Sequence, residues 1–420
     1  MAVEEWTRRR LGDFVTLQRG HDLPDERRRE GPVPVLGSFG ITGWHDAAKA
    51  RGPGVTVGRS GASFGVVSYS PVDFWPLNTA LYVIDFHGND ERFAYYFLKL
   101  FDFRAYNSGS AQPSLNRNFI HPVPVDVPPL PEQRAIAHIL GTLDDKIELN
   151  RRLNQTLEAT ARAVFQSWFV DFDPVHAKAE GRDPGLAKQL ADLCPDSFED
   201  SDLGAIPTGW RVLPLAECAD AARGLSYKGS ALSDSGLPMH NLNSIYEGGG
   251  YKHEGIKHYK GDYSPHHLVR AGDLIVANTE QGHNRLLIGY AAIVPARFDG
   301  ESLFSHHIYR VRPRSSSGLT PDYLCHLLNT RVMHDTVSGY ANGTTVNMLP
   351  IDGLQSPLVV VPPSVIVRGF DGLAEAARKR HGEMMDASRT LSTLRDTLLP
   401  KLISGELRVK HADALDEARS

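Results

Sequence analysis

The 420-residue chain contains no run of 18 apolar residues, so no membrane-spanning helix is expected. Its opening, MAVEEWTRRRLGDF, lacks the apolar core of a secretion signal. Cysteine is scarce. Cys194, Cys218 and Cys325 are odd in number and far apart, which suits neither a disulfide framework nor a zinc-ligand spacing. These absences make the cytoplasm the expected compartment, with no membrane among the partners.

Catalytic signatures are missing as well. No G-x-x-x-x-G-K-[ST] phosphate loop occurs. GRSGASFG is rich in glycine but lacks the lysine and leads into β-branched residues rather than a helix. H-E-x-x-H, C-x-x-C, the Asn/Asp-Pro-Pro-aromatic signature of amino-methyltransferases and a nuclease-like acidic pair with a downstream Glu-x-Lys are absent. Asp171 and Asp173 in DFDP sit where Asp and Pro ordinarily make a turn. Ten of the 18 histidines fall in residues 206–362, including His266-His267 and His306-His307. On a strand such neighbours point to opposite faces, so the pairs are not expected to share a metal. The expectation is a protein that is not an enzyme and binds no cofactor or metal itself.

Charge is short of a basic excess: the net value is −5. Residues 126–204 hold 15 acidic against 8 basic side chains, so the acidic surplus is confined to one stretch. The remainder is near neutral and free to present a basic face.

What is present is written twice. Trp6, Leu11 and Arg19-Gly20 return as Trp210, Leu215 and Arg223-Gly224 at one constant offset. GPGVTVGRSGASFGVVSYS resembles RAGDLIVANTEQGHNRLLIGYAAI: a β-rich run, a polar loop and a second β-rich run. NSGSAQPSLNRNFI resembles TVSGYANGTTVNMLPI, and VPVDVPPLPEQR resembles PLVVVPPSVIVR.

Each copy then enters a long helical pattern after a proline pair, a residue that suits the first helical turn. The first pattern runs from about Glu132 to Val170, roughly 57 Å at 1.5 Å per residue. Its seam reads Ile136, Leu140, Leu143, Ile147, Asn150, Asn154, Leu157, Ala161, Val164 and Trp168. The second runs from about Ser364 to Ile403, with Phe370, Leu373, Ala377, Arg380, Met384, Ala387, Leu391, Leu394 and Leu398. Both keep the 4-3 rhythm of a coiled coil. Such helices outreach one domain core and read as a spacer, each the other's partner.

PPLPEQRAIAHILGTLDDKIELNRRLNQTLEATARAVFQSWFVDFDPV, PDSFEDSDLGAIPTGW and LRDTLLPKLISGELRV resemble the DNA-specificity subunits of type I restriction-modification enzymes. The resemblance implies an α+β chain of two tandem, α/β-mixed target-recognition domains. Each is followed by a long helix, and the two helices pack as an antiparallel coiled coil. The expected boundaries are residues 1–130 and 206–362 for the domains, 131–175 and 363–407 for the helices, 176–205 for a surface linker with one short helix near Leu186–Leu193, and 408–420 for a tail.

The resemblance further implies a non-catalytic reader of a bipartite, asymmetric target in double-stranded DNA. It would work with two methylation subunits that bind S-adenosylmethionine, and with motor-nuclease subunits that use ATP and Mg. One departure stands out: PPSVIVR lacks the Glu-Gln of PPLPEQR. The alternative is a coiled-coil adaptor, or an orphan DNA-binding protein outside restriction-modification.

Loops are where readout residues usually lie. In the first domain the candidates are Arg59, Ser60 and Ser63, then Ser110, Gln112, Ser114, Asn116 and Arg117. Arginine suits guanine or phosphate, and Gln and Asn can pair bidentately with adenine. In the second domain they are Asn278, Thr279, Gln281, His283, Asn284 and Arg285, with Asn342, Thr344 and Asn347. Tyr227, Lys228, Lys252, Lys257, Tyr259 and Lys260 suit backbone contact.

Asn150 and Asn154 interrupt an apolar seam, and a buried amide fixes register at a cost in stability. Arg380 is the one charged residue in the second seam as read, so it is expected beside Asn154. A slip of one heptad would displace the readers by about 10 Å, hence the need for a pin.

Overall fold

The computed structural model describes residues 5–109, 113–281, 284–298, 300–343 and 346–409. The chain divides into two compact units, residues 1–150 with 387–420, and residues 151–386. The division falls within the helices rather than at their ends, so each unit combines one globular domain with part of both long helices. Among the described residues no helix is long and apolar enough to cross a membrane.

In the first unit, strand Thr7–Arg10 pairs antiparallel with Pro124–Val127 and joins the beginning of the domain to its end. A four-stranded antiparallel sheet follows the order Thr16–Arg19, Ala80–Asp85, Gly54–Gly58, Val67–Ser70. Helix Glu91–Leu100 is capped by Asp90, whose carboxylate accepts from the Phe93 N–H at 2.8 Å. It buries Phe93, Tyr96, Phe97 and Leu98 in the core beside Val55, Val57 and Leu81.

The second unit repeats this plan. Arg211–Pro214 pairs with Leu358–Val361. The sheet order is Ala219–Arg223, Ile308–Pro313, Leu274–Ala277, Ala291–Ile293. Each copy also holds one parallel strand pair, Val33–Gly37 with Trp75–Pro76 and Leu237–His240 with Ser302–Phe304. The repeated Arg-Gly has a steric reason. A Cβ on Gly20 would lie 2.2 Å from the Leu77 carbonyl oxygen, and one on Gly224 would lie 2.3 Å from that of Ser305.

The long helices are Leu130–Phe169 and Ser364–Ile403. Within each unit they run antiparallel. In the first, Asp144 meets Arg395 and Asn150 meets Ser388. In the second, Glu158 meets His381 and Phe165 meets Phe370.

The first seam matches its reading: Ile136, Leu140, Asn150, Asn154 and Ala161 are buried. The second is out of phase at alternate positions. Ala374 is buried, and His381, Ser388 and Arg395 make the contacts across the pair, whereas Leu373 and Leu394 are exposed. The expected Asn154–Arg380 contact is therefore not made. Arg380 is 61% exposed and pairs with Glu383 at 3.1 Å. Glu158, Asn150 and Asp144 on the first helix meet His381, Ser388 and Arg395, each one residue past the expected seam positions Arg380, Ala387 and Leu394.

The segment expected as a surface linker with one short helix near Leu186–Leu193 holds that helix and further structure. It forms helices Asp173–Ala179 and Lys188–Leu193 and a hairpin of Phe198–Ser201 with Gly204–Pro207. Leu190 occupies the space that a side chain at Gly369 would need.

The missing Glu-Gln has a physical counterpart. Glu132 is buried, accepts from the Trp6 indole at 3.1 Å and takes a two-pronged bond from Arg408 at 2.7 and 2.8 Å. Gln133 bonds Asn89 and the backbone at Asp90 and Pro128. In the second copy Ile366 and Val367 enter the apolar core instead. The indole N–H of Trp210 is left without a partner among the described residues.

Candidate nucleic-acid interface

In the first unit two candidate loops come together. Strands Gly54–Gly58 and Val67–Ser70 are joined by the loop bearing Arg59, Ser60 and Ser63. Ser60 forms a β-bridge with Ser114, and the Leu115 N–H donates to the Arg59 carbonyl at 2.8 Å. A Cβ on Gly58 would lie 2.1 Å from the Ser63 carbonyl oxygen and 2.4 Å from that of Ser38, so the backbone closes tightly at the loop's root. Arg59 donates to the Asn78 carbonyl at 3.2 Å, and Arg117 to that of Leu17 at 3.4 Å. These bonds aim the two guanidinium groups. Asn116 is exposed, but its side chain accepts from the Asn118 N–H and caps helix Arg117–Ile120.

The second unit makes the same junction as a ladder. Strand Thr279–Gln281 pairs antiparallel with Val346–Met348, Thr279 facing Met348 and Glu280 facing Asn347. The Leu349 N–H donates to the Asn278 carbonyl at 2.8 Å, matching the Leu115–Arg59 bond. The Glu280 carboxylate accepts from the N–H groups of Leu286, Leu287 and Ile288 at 2.8, 3.2 and 3.2 Å. That clamp holds Asn284 and Arg285, both exposed, beside the ladder. Arg285 takes a left-handed backbone, φ 51°.

Four candidates turn inward. Asn278 is 2% exposed and donates to the His306 carbonyl at 3.0 Å. Thr279 is buried against His307 Nδ1 at 3.0 Å. Asn347 is 8% exposed, and Tyr259 is buried with its hydroxyl on the Asp262 carbonyl. These side chains serve the fold, because a polar group removed from water needs a partner inside the protein. Asn342, Lys228 and Lys260 remain exposed. Lys257 donates to the Tyr227 hydroxyl at 3.2 Å, and Lys252 lies over the Tyr246 ring. Ser110, Gln112, His283, Thr344 and the side chain of Gln281 lie outside the described residues.

Two apolar residues outside the candidates named from the sequence are exposed at this junction. Strand alternation puts Val346 and Met348 outward, 46% and 41% exposed, on either side of buried Asn347. Counting alternation from Asn347 would have found them. The histidine pairs also differ from expectation: both have ring centroids 3.8 Å apart. His266-His267 lies in a 3-10 turn and His306-His307 precedes a strand, so strand alternation does not separate them. Burial lowers the pKa of His307, and His306, Lys257 and Arg223 add to the effect as neighbouring cations. No cluster of three or more potential metal ligands forms among the described residues.

Residues 3–159 match the family described as Type I restriction modification DNA specificity domain. The chain is 44% identical over 81 residues to the HindI type I restriction enzyme specificity subunit of Haemophilus influenzae. That match covers 19% of this chain and 18% of the relative. It is 24% identical over 315 residues to the MjaIX specificity subunit of Methanocaldococcus jannaschii, covering 72% and 65%. The chain thus spans less than two thirds of the length of either relative. Its fold is similar to the crystal structure of the type I restriction-modification S subunit from M. genitalium, with TM-score 0.62 and 15% identity over 95% and 96% of the chains.

Proposed function

We propose, for a chain that belongs to the specificity-subunit family of type I restriction enzymes, that it reads a bipartite, asymmetric sequence in double-stranded DNA and performs no catalysis itself. The observation that carries this reading is the junction made twice. In each unit the same two polar loops meet at one β-bridge or ladder, yet their residues differ. Identical modules would suit a palindrome, as in symmetric dimers; divergent ones suit two different half-sites. Arg59, Ser60, Ser114 and Arg117 would serve one half, and Asn284, Arg285 and Asn342 the other, with Lys228 and Lys260 on phosphates.

The helix pair would set the number of unread base pairs between the halves. Two methylation subunits, carrying S-adenosylmethionine, and motor-nuclease subunits using ATP and Mg would assemble on this scaffold in the cytoplasm. The test is co-expression with the cognate methylation subunit and genome-wide mapping of methylated adenine. A split, asymmetric motif is expected; one contiguous palindrome would overturn the reading. Arg59→Ala should relax one half-site by roughly 1–3 kcal/mol and leave the other unchanged.

A further inference from the structure

We propose that the second unit reads the C5-methyl group of a thymine through Val346 and Met348; the proposal rests on the DNA-reading function above. The two side chains lie on the outer face of the strand that joins the two candidate loops. The amide between them, Asn347, is turned inward, as are Asn278 and Thr279. On strand Val346–Met348 the outward side chains are therefore both apolar. Leu286, held next to Glu280 by its backbone N–H, is also exposed.

Duplex DNA offers one apolar group in the major groove, the thymine methyl. Charge favours the same occupant. Arg285 is exposed next to Leu286, and the ladder's carboxylate, Glu280, is buried and takes three backbone N–H groups. An anionic strand can approach without meeting an open acidic side chain from the ladder.

The first unit sharpens the point. Ser60 bridges Ser114 as Thr279 pairs with Met348, so a hydroxyl stands in one copy where a thioether stands in the other. At matched positions one unit offers hydrogen bonds and the other an apolar contact.

The test uses the complex assembled with its methylation subunits and a duplex carrying the mapped target. Each thymine is replaced in turn by deoxyuridine, which removes only the methyl. One position in one half-site should lose about fourfold in affinity, the value of one buried methyl-sized group. The loss should vanish in Val346→Ala/Met348→Ala and persist in Met348→Leu. Three outcomes would overturn the proposal: a mapped target without thymine, no position sensitive to deoxyuridine, or a sensitivity that the double alanine variant leaves intact. Equal binding of target and scrambled duplex by the unaltered complex would remove the DNA-reading function itself, and this proposal with it.

Discussion

The Asn150 amide donates to the Ser388 hydroxyl across the helix pair at 3.1 Å. Asn154, one turn further along, is 5% exposed, and neither its amide nitrogen nor its oxygen has a partner among the described residues. Two seam asparagines that look equivalent in the sequence are therefore in opposite energetic situations.

Asn154→Leu should stabilise the protein by about 1–3 kcal/mol, because it removes a buried, unpaired amide. Asn150→Leu should cost roughly 0.5–1.5 kcal/mol, the net worth of one hydrogen bond. Arg380→Ala, on an exposed ion pair, should change stability by less than about 1 kcal/mol. Urea unfolding of the three variants measures all three effects; a destabilising Asn154→Leu would show that the amide does have a partner.

Arg408→Ala should lower stability by roughly 1.5–3 kcal/mol, since it strips the charged partner from buried Glu132. The double replacement Glu132→Leu/Arg408→Leu should recover part of the loss, because no buried carboxylate remains. The second copy already carries an apolar solution in Ile366. Thermal unfolding of the single and double variants checks the order.

Asn278 and Arg285 should separate folding from binding. Asn278→Ala removes a buried donor to His306 and should cost about 1–2 kcal/mol of stability, with the affinity of the folded protein unchanged. Arg285→Ala should leave the melting temperature alone, weaken duplex binding and reduce the slope of log K against log salt by about one. A sequence preference altered by Asn278→Ala alone would contradict its buried placement.

Acid should weaken the second unit before carboxylates titrate. Burial, with Arg297 as a neighbouring cation, pulls the His240 pKa down to about 3 from 6.5. Its ring sits 2.9 Å from the Tyr251 hydroxyl and 3.1 Å from Ser302 Oγ. The unfolded chain takes up a proton below pH 6.5 while the folded one does not. Stability from this group is therefore complete above pH 6.5 and falls as pH drops toward 3. From pH 7 to 5 the loss should be about 2 kcal/mol, read by denaturant unfolding. His240→Gln should be less stable overall but flatter across that window.

The fold was legible because it rests on repetition and period. Two copies of Trp, Leu and Arg-Gly at one offset became two sheets of equal strand order. Proline pairs marked where both helices begin. The junction of loops was legible only as two separate loops; that Ser60 would bridge Ser114 is a tertiary fact. Side-chain chemistry alone favours Asn278 and Asn347, which the structure buries, over Val346 and Met348, which it leaves exposed. Strand alternation and the carbonyls around Asn278 decided which faces inward.

The residues by themselves determined that there are two modules, two long helices and a first seam through Asn150 and Asn154. These follow from local periodicity, which one chain segment carries alone. The phase of the second seam and the outward face of each loop belong to tertiary structure. Leu373 and Leu394 are more apolar than Ala374 and Arg395, yet the helix turns the latter inward. Burial answers to the partner surface, and the Asp144, Asn150 and Glu158 that Arg395, Ser388 and His381 meet lie more than two hundred residues away in sequence.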